Sequence, residues 1–162
     1  MRKAELTNKM VHFYGNSIGE IGHFFKVHEF AALIGKLEGL DEKTQETLEM
    51  AAIVHDIACP LCREKYGNAN GNHQEAESEA LLRPFLEEFE LPEDVRERII
   101  FLVTHHHTVS NIEGIDYQIL IEADFLVNAA EMQMGIESIR NFRNKIVKTN
   151  AGKALFDSIY LS

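Results

Sequence analysis

Three histidines and one aspartate of this 162-residue chain stand at the same place in a repeated apolar pattern. Ile21, Phe24, Phe25 and His28 fall at i, i+3, i+4 and i+7, and so do Leu48, Ala51, Ala52 and His55. Ile99, Leu102, Val103 and His106 repeat the spacing, and Tyr117, Leu120, Ile121 and Asp124 give it a fourth time. On a helix these positions form one stripe, so four helices would each turn an imidazole or a carboxylate toward a common core. A single inward histidine is more often a hydrogen-bonded core residue than a ligand. Four such groups together are different. An ionised aspartate out of water is strongly disfavoured unless paired or coordinated, and burial favours neutral histidine while a cation favours ionised carboxylate. One metal ion satisfies all of them, and helical bundles build metal sites from just such groups on facing helices.

The elements that must position these groups are helical throughout. Apolar residues recur at helical rather than alternating spacing, with good helix formers between them. The pattern predicts helices at about 4–14, 17–38, 43–57, 73–89, 92–108, 115–133, 135–148 and 151–160. Asp41 and Asp116 are placed to cap helix starts, and Pro92 suits a first helical position. Gly39, Gly114 and Gly135 mark stops. The stretch 58–72, rich in glycine and asparagine, is expected to be irregular and to lie near the reactive groups as a lid. No repeat, low-complexity tract or linker divides the chain, so residues 1–162 are expected to form one all-α domain.

The adjacent pair His55-Asp56 at a helix end, preceded by a histidine on an apolar helix and followed by Ile121-Glu122-Ala123-Asp124, resembles the HD-domain superfamily of phosphohydrolases. The resemblance covers about residues 20–130, with the C-terminal helices packing on that core, and extends through Gly114 to Asn128 to a small bacterial branch. It implies an all-helical bundle with a divalent metal held by His28, His55, Asp56 and Asp124, and Asp56 able to bridge to a second ion. The run Val103-Thr104-His105-His106-His107-Thr108 is similar to the histidine-bearing helix of binuclear members, and His73 opens the helix before it. His106, His105 and His73 are thereby second-site candidates. Helical geometry turns His106 inward with His105 and His107 about 100° to either side, so His107 reads better as a solvated residue or one that only touches a ligand. His73 reads equally well as an exposed residue near a helix start.

The resemblance implies hydrolysis of a small phosphoester, such as a nucleotide, by metal-activated water, with His55 and Asp56 as the catalytic core. One or two ions of Fe, Mn, Co, Ni, Zn or Mg would suit the donors. The stretches Ile57-Ala58-Cys59 and Thr108-Val109-Ser110-Asn111 lack the Gly-Lys and Gly-Tyr-Pro segments of cyclic-dinucleotide phosphodiesterases. Arg63 and Lys65 lie just after the doublet, where a long cationic side chain reaches over the metal, and are the better candidates for binding substrate phosphate than Arg140, Arg143 or Lys145. Glu122 and Asn128 flank Asp124 closely enough to touch a ligand. A second class of function, a regulatory module that keeps the metal and binds a nucleotide or partner without turnover, fits the missing lysine.

With 26 acidic and 16 basic residues, a net charge of −10, the chain has no footprint for polymeric nucleic acid or an anionic membrane. A small phosphorylated substrate is compatible, because a bound cation overturns the local charge. No apolar run spans a bilayer and Met1-Arg2-Lys3-Ala4-Glu5 leads into no signal-peptide core, so a cytoplasmic location is expected. A homo-oligomer is allowed by the apolar helix faces. Cys59 and Cys62 are expected to be reduced thiols in a loop, since no second pair completes a zinc ribbon.

Overall fold

The apolar periodicity resolves into helices, with no strand among the described residues, 2–162, of a computed structural model. In chain order they are α1 (Arg2–Tyr14), α2 (Ile18–Leu37), α3 (Glu42–Val54), α4 (Cys59–Tyr66), α5 (Gly71–Glu87), α6 (Glu93–His105), α7 (Ile115–Glu131), α8 (Ile136–Lys145) and α9 (Asn150–Phe156), which continues into a π-helical turn, Asp157–Leu161. No helix is long and apolar enough to cross a membrane among the described residues.

Local chemistry explains most boundaries. Asp41 is extended and accepts from Thr44 N at 2.9 Å, satisfying an amide that the first turn of α3 leaves free. Gly39 ends α2 in the left-handed region at φ +74°, where a side chain would be strained. Two signals act differently from expectation. Pro92 caps α6 from outside it, and Asp116 lies inside α7, where it receives Arg98 Nε at 2.9 Å and Nη2 at 2.6 Å, while Gly114 takes the cap position. The stretch 58–72 is also less irregular than expected, because α4 occupies its first half. Pro60 sits in the opening turn of α4, where its missing N–H is no loss, and Gly67 closes it at φ +76°. Only 67–70 separates α4 from α5.

α3 runs through the middle, with every residue from Thr47 to Val54 buried, and packs against α1, α2, α6 and α7. α2 approaches it closely because Gly35 has no Cβ to collide with Gln45. α7 is the second interior helix, buried without a break from Asp116 to Asp124. The end of α6 is held by Tyr117, whose hydroxyl donates to His105 O at 2.9 Å and to Thr108 O, and by Glu75, which accepts from His107 N at 3.2 Å and Thr108 Oγ1 at 2.9 Å. These contacts bring the ends of α3 and α6, the start of α2 and the middle of α7 to one place.

Candidate metal centre

His55 and His106 share one local device. Each is the residue that caps the C-terminus of its helix, α3 and α6 respectively. There the last carbonyls have lost their helical partners. His55 Nδ1 lies 2.7 Å from Ala52 O and His106 Nδ1 lies 2.7 Å from Val103 O, so each Nδ1–H donates to the carbonyl three residues back. His23, on the first half of α2, reaches the same state differently, with Nδ1 2.9 Å from Glu131 Oε2. In all three rings Nδ1 has an acceptor and Nε2 faces inward, the tautomer control typical of metal-ligating histidines.

The inward atoms converge. His23 Nε2 is 3.1 Å from Asp56 Oδ2, 3.1 Å from Asp124 Oδ1 and 3.2 Å from His55 Nε2. His55 Nε2 is 3.3 Å from both Asp56 Oδ2 and Asp124 Oδ1. A cation with bonds of about 2.1 Å to nitrogen and oxygen separates adjacent donors by about 3.0 Å in an octahedral shell and about 3.4 Å in a tetrahedral one. The measured separations fall in that interval, so His23, His55, Asp56 and Asp124 fit one divalent ion. Asp56 turns its other oxygen, Oδ1, toward His106 Nε2 at 3.5 Å. With His107 these make a second group of close donors, and the Nε2 atoms of His106 and His107 are buried without a hydrogen-bond partner among the described residues. Two orphaned nitrogens beside a carboxylate that already serves the first cluster suit a second ion.

Charge in the cluster follows from these contacts. Burial alone would push His23 down, but hydrogen bonds to Asp124 and Asp56 overcome it and raise the ring to about 10. His55 is raised as well, by Asp56 and Asp124 acting against complete burial. Asp56 and Asp124 are in turn held well below the usual carboxylate range despite burial, by His55, His23 and, for Asp56, His106. Without an ion, the histidines and the carboxylates favour one another's charged forms, an attraction that a divalent cation would take over. His107 behaves in the opposite way, pushed down to about 4 by burial and by the neighbouring His106. Cys59 lies beside Asp56 and Glu20, and burial raises its thiol far above the ordinary range. Cys62 is buried and unbonded too, but both thiols belong to α4 rather than to a loop.

Several residues singled out in the sequence lie elsewhere. His28 is not brought to the cluster: its Nε2 is 3.1 Å from Glu49 Oε1, in a polar group with Lys3 and Gln45. α2 is apolar on both faces, with Ile18, Phe25, Leu33 and Leu37 exposed, and the buried series is His23, Val27, Ala31 and Ile34 rather than the one through Phe25. His23 is the histidine that this phase turns inward, and the signal for it is the i, i+4, i+8, i+11 series. His105 stacks on Phe101 at 4.1 Å and bonds its carbonyl. His107 takes the place expected for it because α6 ends at His105, after which helical phase no longer sets direction. His73 stacks on Tyr66 at 4.0 Å and bonds Asn68. Lys65 pairs with Glu77 at 2.6 Å. Arg140 and Arg143 pair with Glu137 and Asp157. Glu122 is fully buried but serves the chain before α9, accepting from Gln118 Nε2, Lys148 N, Thr149 N and Thr149 Oγ1.

The cluster opens into a cleft of about 1080 Å³, large enough for a small organic phosphate. His23, Asp56, Asp124 and His107 form its floor, and Arg63, Lys26 and Asn128 also line it. Arg63 is engaged by Glu20.

The family model for the HD domain matches residues 21–140. No curated protein and no solved structure matches the chain.

Proposed function

The chain belongs to the HD-domain family, and on that premise we propose that it is a phosphohydrolase acting in the cytoplasm on a small phosphoester, with a nucleotide as the substrate class. The observation that carries this reading is the convergence of the Nε2 atoms of His23 and His55 with oxygens of Asp56 and Asp124, each ring oriented by an acceptor on its Nδ1. A divalent cation bound by these four would polarise a phosphoryl oxygen and make water a nucleophile near neutral pH. The protein's own part is to fix that geometry and to admit phosphate. Asp56 divides its two oxygens between the cluster and His106, so the second donor group is tied rigidly to the first. Arg63 and Lys26 bring positive charge to a strongly acidic molecule where a phosphate would enter. Lys26 and Arg63 are at present paired with Glu131 and Glu20, partners from which a phosphate must draw them.

Two exposed apolar residues of the cleft support the nucleotide. Ile18 and Met132 line it while 77% and 66% exposed, a rim on which the flat apolar face of a base can lie. Polymeric nucleic acid and membrane are not partners in this proposal, given the net charge of −10. Metal analysis of protein purified without chelator, followed by phosphomonoesters and phosphodiesters assayed with Mn, Fe, Co, Ni, Zn and Mg, tests it. The expected result is near-stoichiometric metal and turnover that Asp56→Asn abolishes. Metal with no turnover of any ester would make the chain a binding module instead.

A further inference from the structure

The two cations of the cleft, Arg63 and Lys26, are each held by a carboxylate, Glu20 and Glu131, and Glu131 holds a histidine of the metal set as well. Its Oε1 lies 2.9 Å from Lys26 Nζ, and its Oε2 accepts from His23 Nδ1–H at 2.9 Å. His23 and Lys26 are neighbours one turn apart on α2, so a single carboxylate spans both. Glu131 reaches them from the last residue of α7. A negative charge there opposes the helix dipole, which favours cations at a C-terminus, and the last turn of α7 carries no basic residue. Lys26 supplies the missing charge from another helix. All three residues line the cleft, and the side chains of Lys26 and Glu131 are 55% and 33% exposed, open to a ligand that enters it.

This pairing links two events at the site. A carboxylate that shares its charge with an ammonium accepts a weaker hydrogen bond from a ring N–H than one that does not. The acceptor on Nδ1 in turn sets how strongly Nε2 donates to a cation. Lys26 is the movable member, because a lysine ammonium rides on a flexible four-carbon stem. A phosphate group, with about −1.5 to −2 charges, attracts it more strongly than one carboxylate does. We propose that Glu131 is a positioning residue that couples substrate to metal: phosphate entering the cleft takes Lys26, and the carboxylate so released tightens its hold on His23 Nδ1–H and strengthens Nε2 as a ligand. This rests on the metal centre and the phosphate site of the phosphohydrolase reading, and adds a reason for each to favour the other. Such coupling is reciprocal, so metal favours phosphate by the same factor.

The test measures metal affinity, by competition against a chelator, in wild type, Glu131→Gln, Lys26→Met and the double variant, with urea denaturation to check that each is folded. Glu131→Gln is expected to weaken metal binding by about tenfold or more. Lys26→Met is expected to tighten it, by a factor about fivefold larger with Glu131 present than with Gln in its place. A lysine that acts on the metal only as a distant charge gives the same factor in both backgrounds, and that result would overturn the inference. So would unchanged affinity in Glu131→Gln. Inorganic phosphate is the probe for the second half of the coupling. It is expected to tighten metal binding by a larger factor in wild type than in Lys26→Met. In zinc-loaded protein with nitrogen-labelled histidine, it should also shift the Nδ1–H resonance of His23 further in wild type than in that variant. Equal factors, or equal shifts, would sink the coupling. No ester enters these readings, so the two proposals fail separately. Coupling through Glu131 with no ester hydrolysed defeats the phosphohydrolase reading alone, and ester turnover with equal factors in both backgrounds defeats the coupling alone. A wild-type protein that binds no metal defeats both.

Discussion

His23→Ala and His28→Ala, made separately, distinguish the histidine that faces the cluster from the one five residues further along α2. Three of the five measured donor–donor separations, 3.1, 3.1 and 3.2 Å, involve His23 Nε2, so its loss removes a whole corner of the site. Losing a group that merely orients a ligand weakens metal binding by about 10–100-fold. Losing the ligand itself is expected to weaken it by more than about 100-fold. The metal-free protein should suffer as well, because Asp56 and Asp124 lose one of the histidine partners that hold their charge. Breaking a buried ion pair from one side is destabilising by about 3–5 kcal/mol. His28→Ala removes only one of three partners of Glu49, leaving Lys3 at 2.9 Å and Gln45 at 2.9 Å, and is expected to lower stability by about 1 kcal/mol or less. Metal content after dialysis, competition titration against a chelator and urea denaturation with and without metal read these quantities. Full metal content in His23→Ala, or loss of metal in a folded His28→Ala protein, would refute the geometry.

Three further outcomes follow from the same contacts. Metal affinity is expected to rise between pH 6 and 9 with release of protons, because a cation must displace the proton that His23 keeps up to about 10, readable by calorimetry in buffers of different ionisation enthalpy. In the metal-free protein, this raised value gives stability that is fully present below the ordinary histidine value of 6.5 and lost as pH rises toward 10. The depressed carboxylates act oppositely, with stability present above 3.8 and lost in acid, so chelated protein should melt highest in weakly acidic buffer and added metal should move that optimum upward. Gly71→Ala forces the start of α5 from His107 and is expected to lower stability by about 1–3 kcal/mol, measured by urea denaturation, while the ion at His23, His55, Asp56 and Asp124 remains. Glu122→Ala leaves the buried amide of Thr149 and its hydroxyl without their acceptor, and a loss of about 3 kcal/mol with unchanged metal stoichiometry in the folded fraction is expected from thermal melts and metal analysis.

The all-helical fold, the doublet His55-Asp56, and the inward placement of His106 and Asp124 were readable from the sequence because each helix carrying them has an apolar stripe that leads to the reactive residue. On α3, α6 and α7 the stripes Leu48-Ala51-Ala52, Ile99-Leu102-Val103 and Tyr117-Leu120-Ile121 are all buried, and the reactive residue ends each stripe. A periodic pattern is a local property, and local geometry suffices to direct such a side chain. α2 is different, because its two faces are almost equally apolar. Which of them meets α3 and α7 is decided by close packing at Gly35 and Ala31, a fact of the assembled bundle, and that choice substitutes His23 for His28. His107 faces the cluster, and His105 turns away, because α6 stops at His105 and tertiary bonds from Glu75 and Tyr117 direct the chain beyond it. Sequence determined the donors and the period that carries them; tertiary packing decided which donors share a centre.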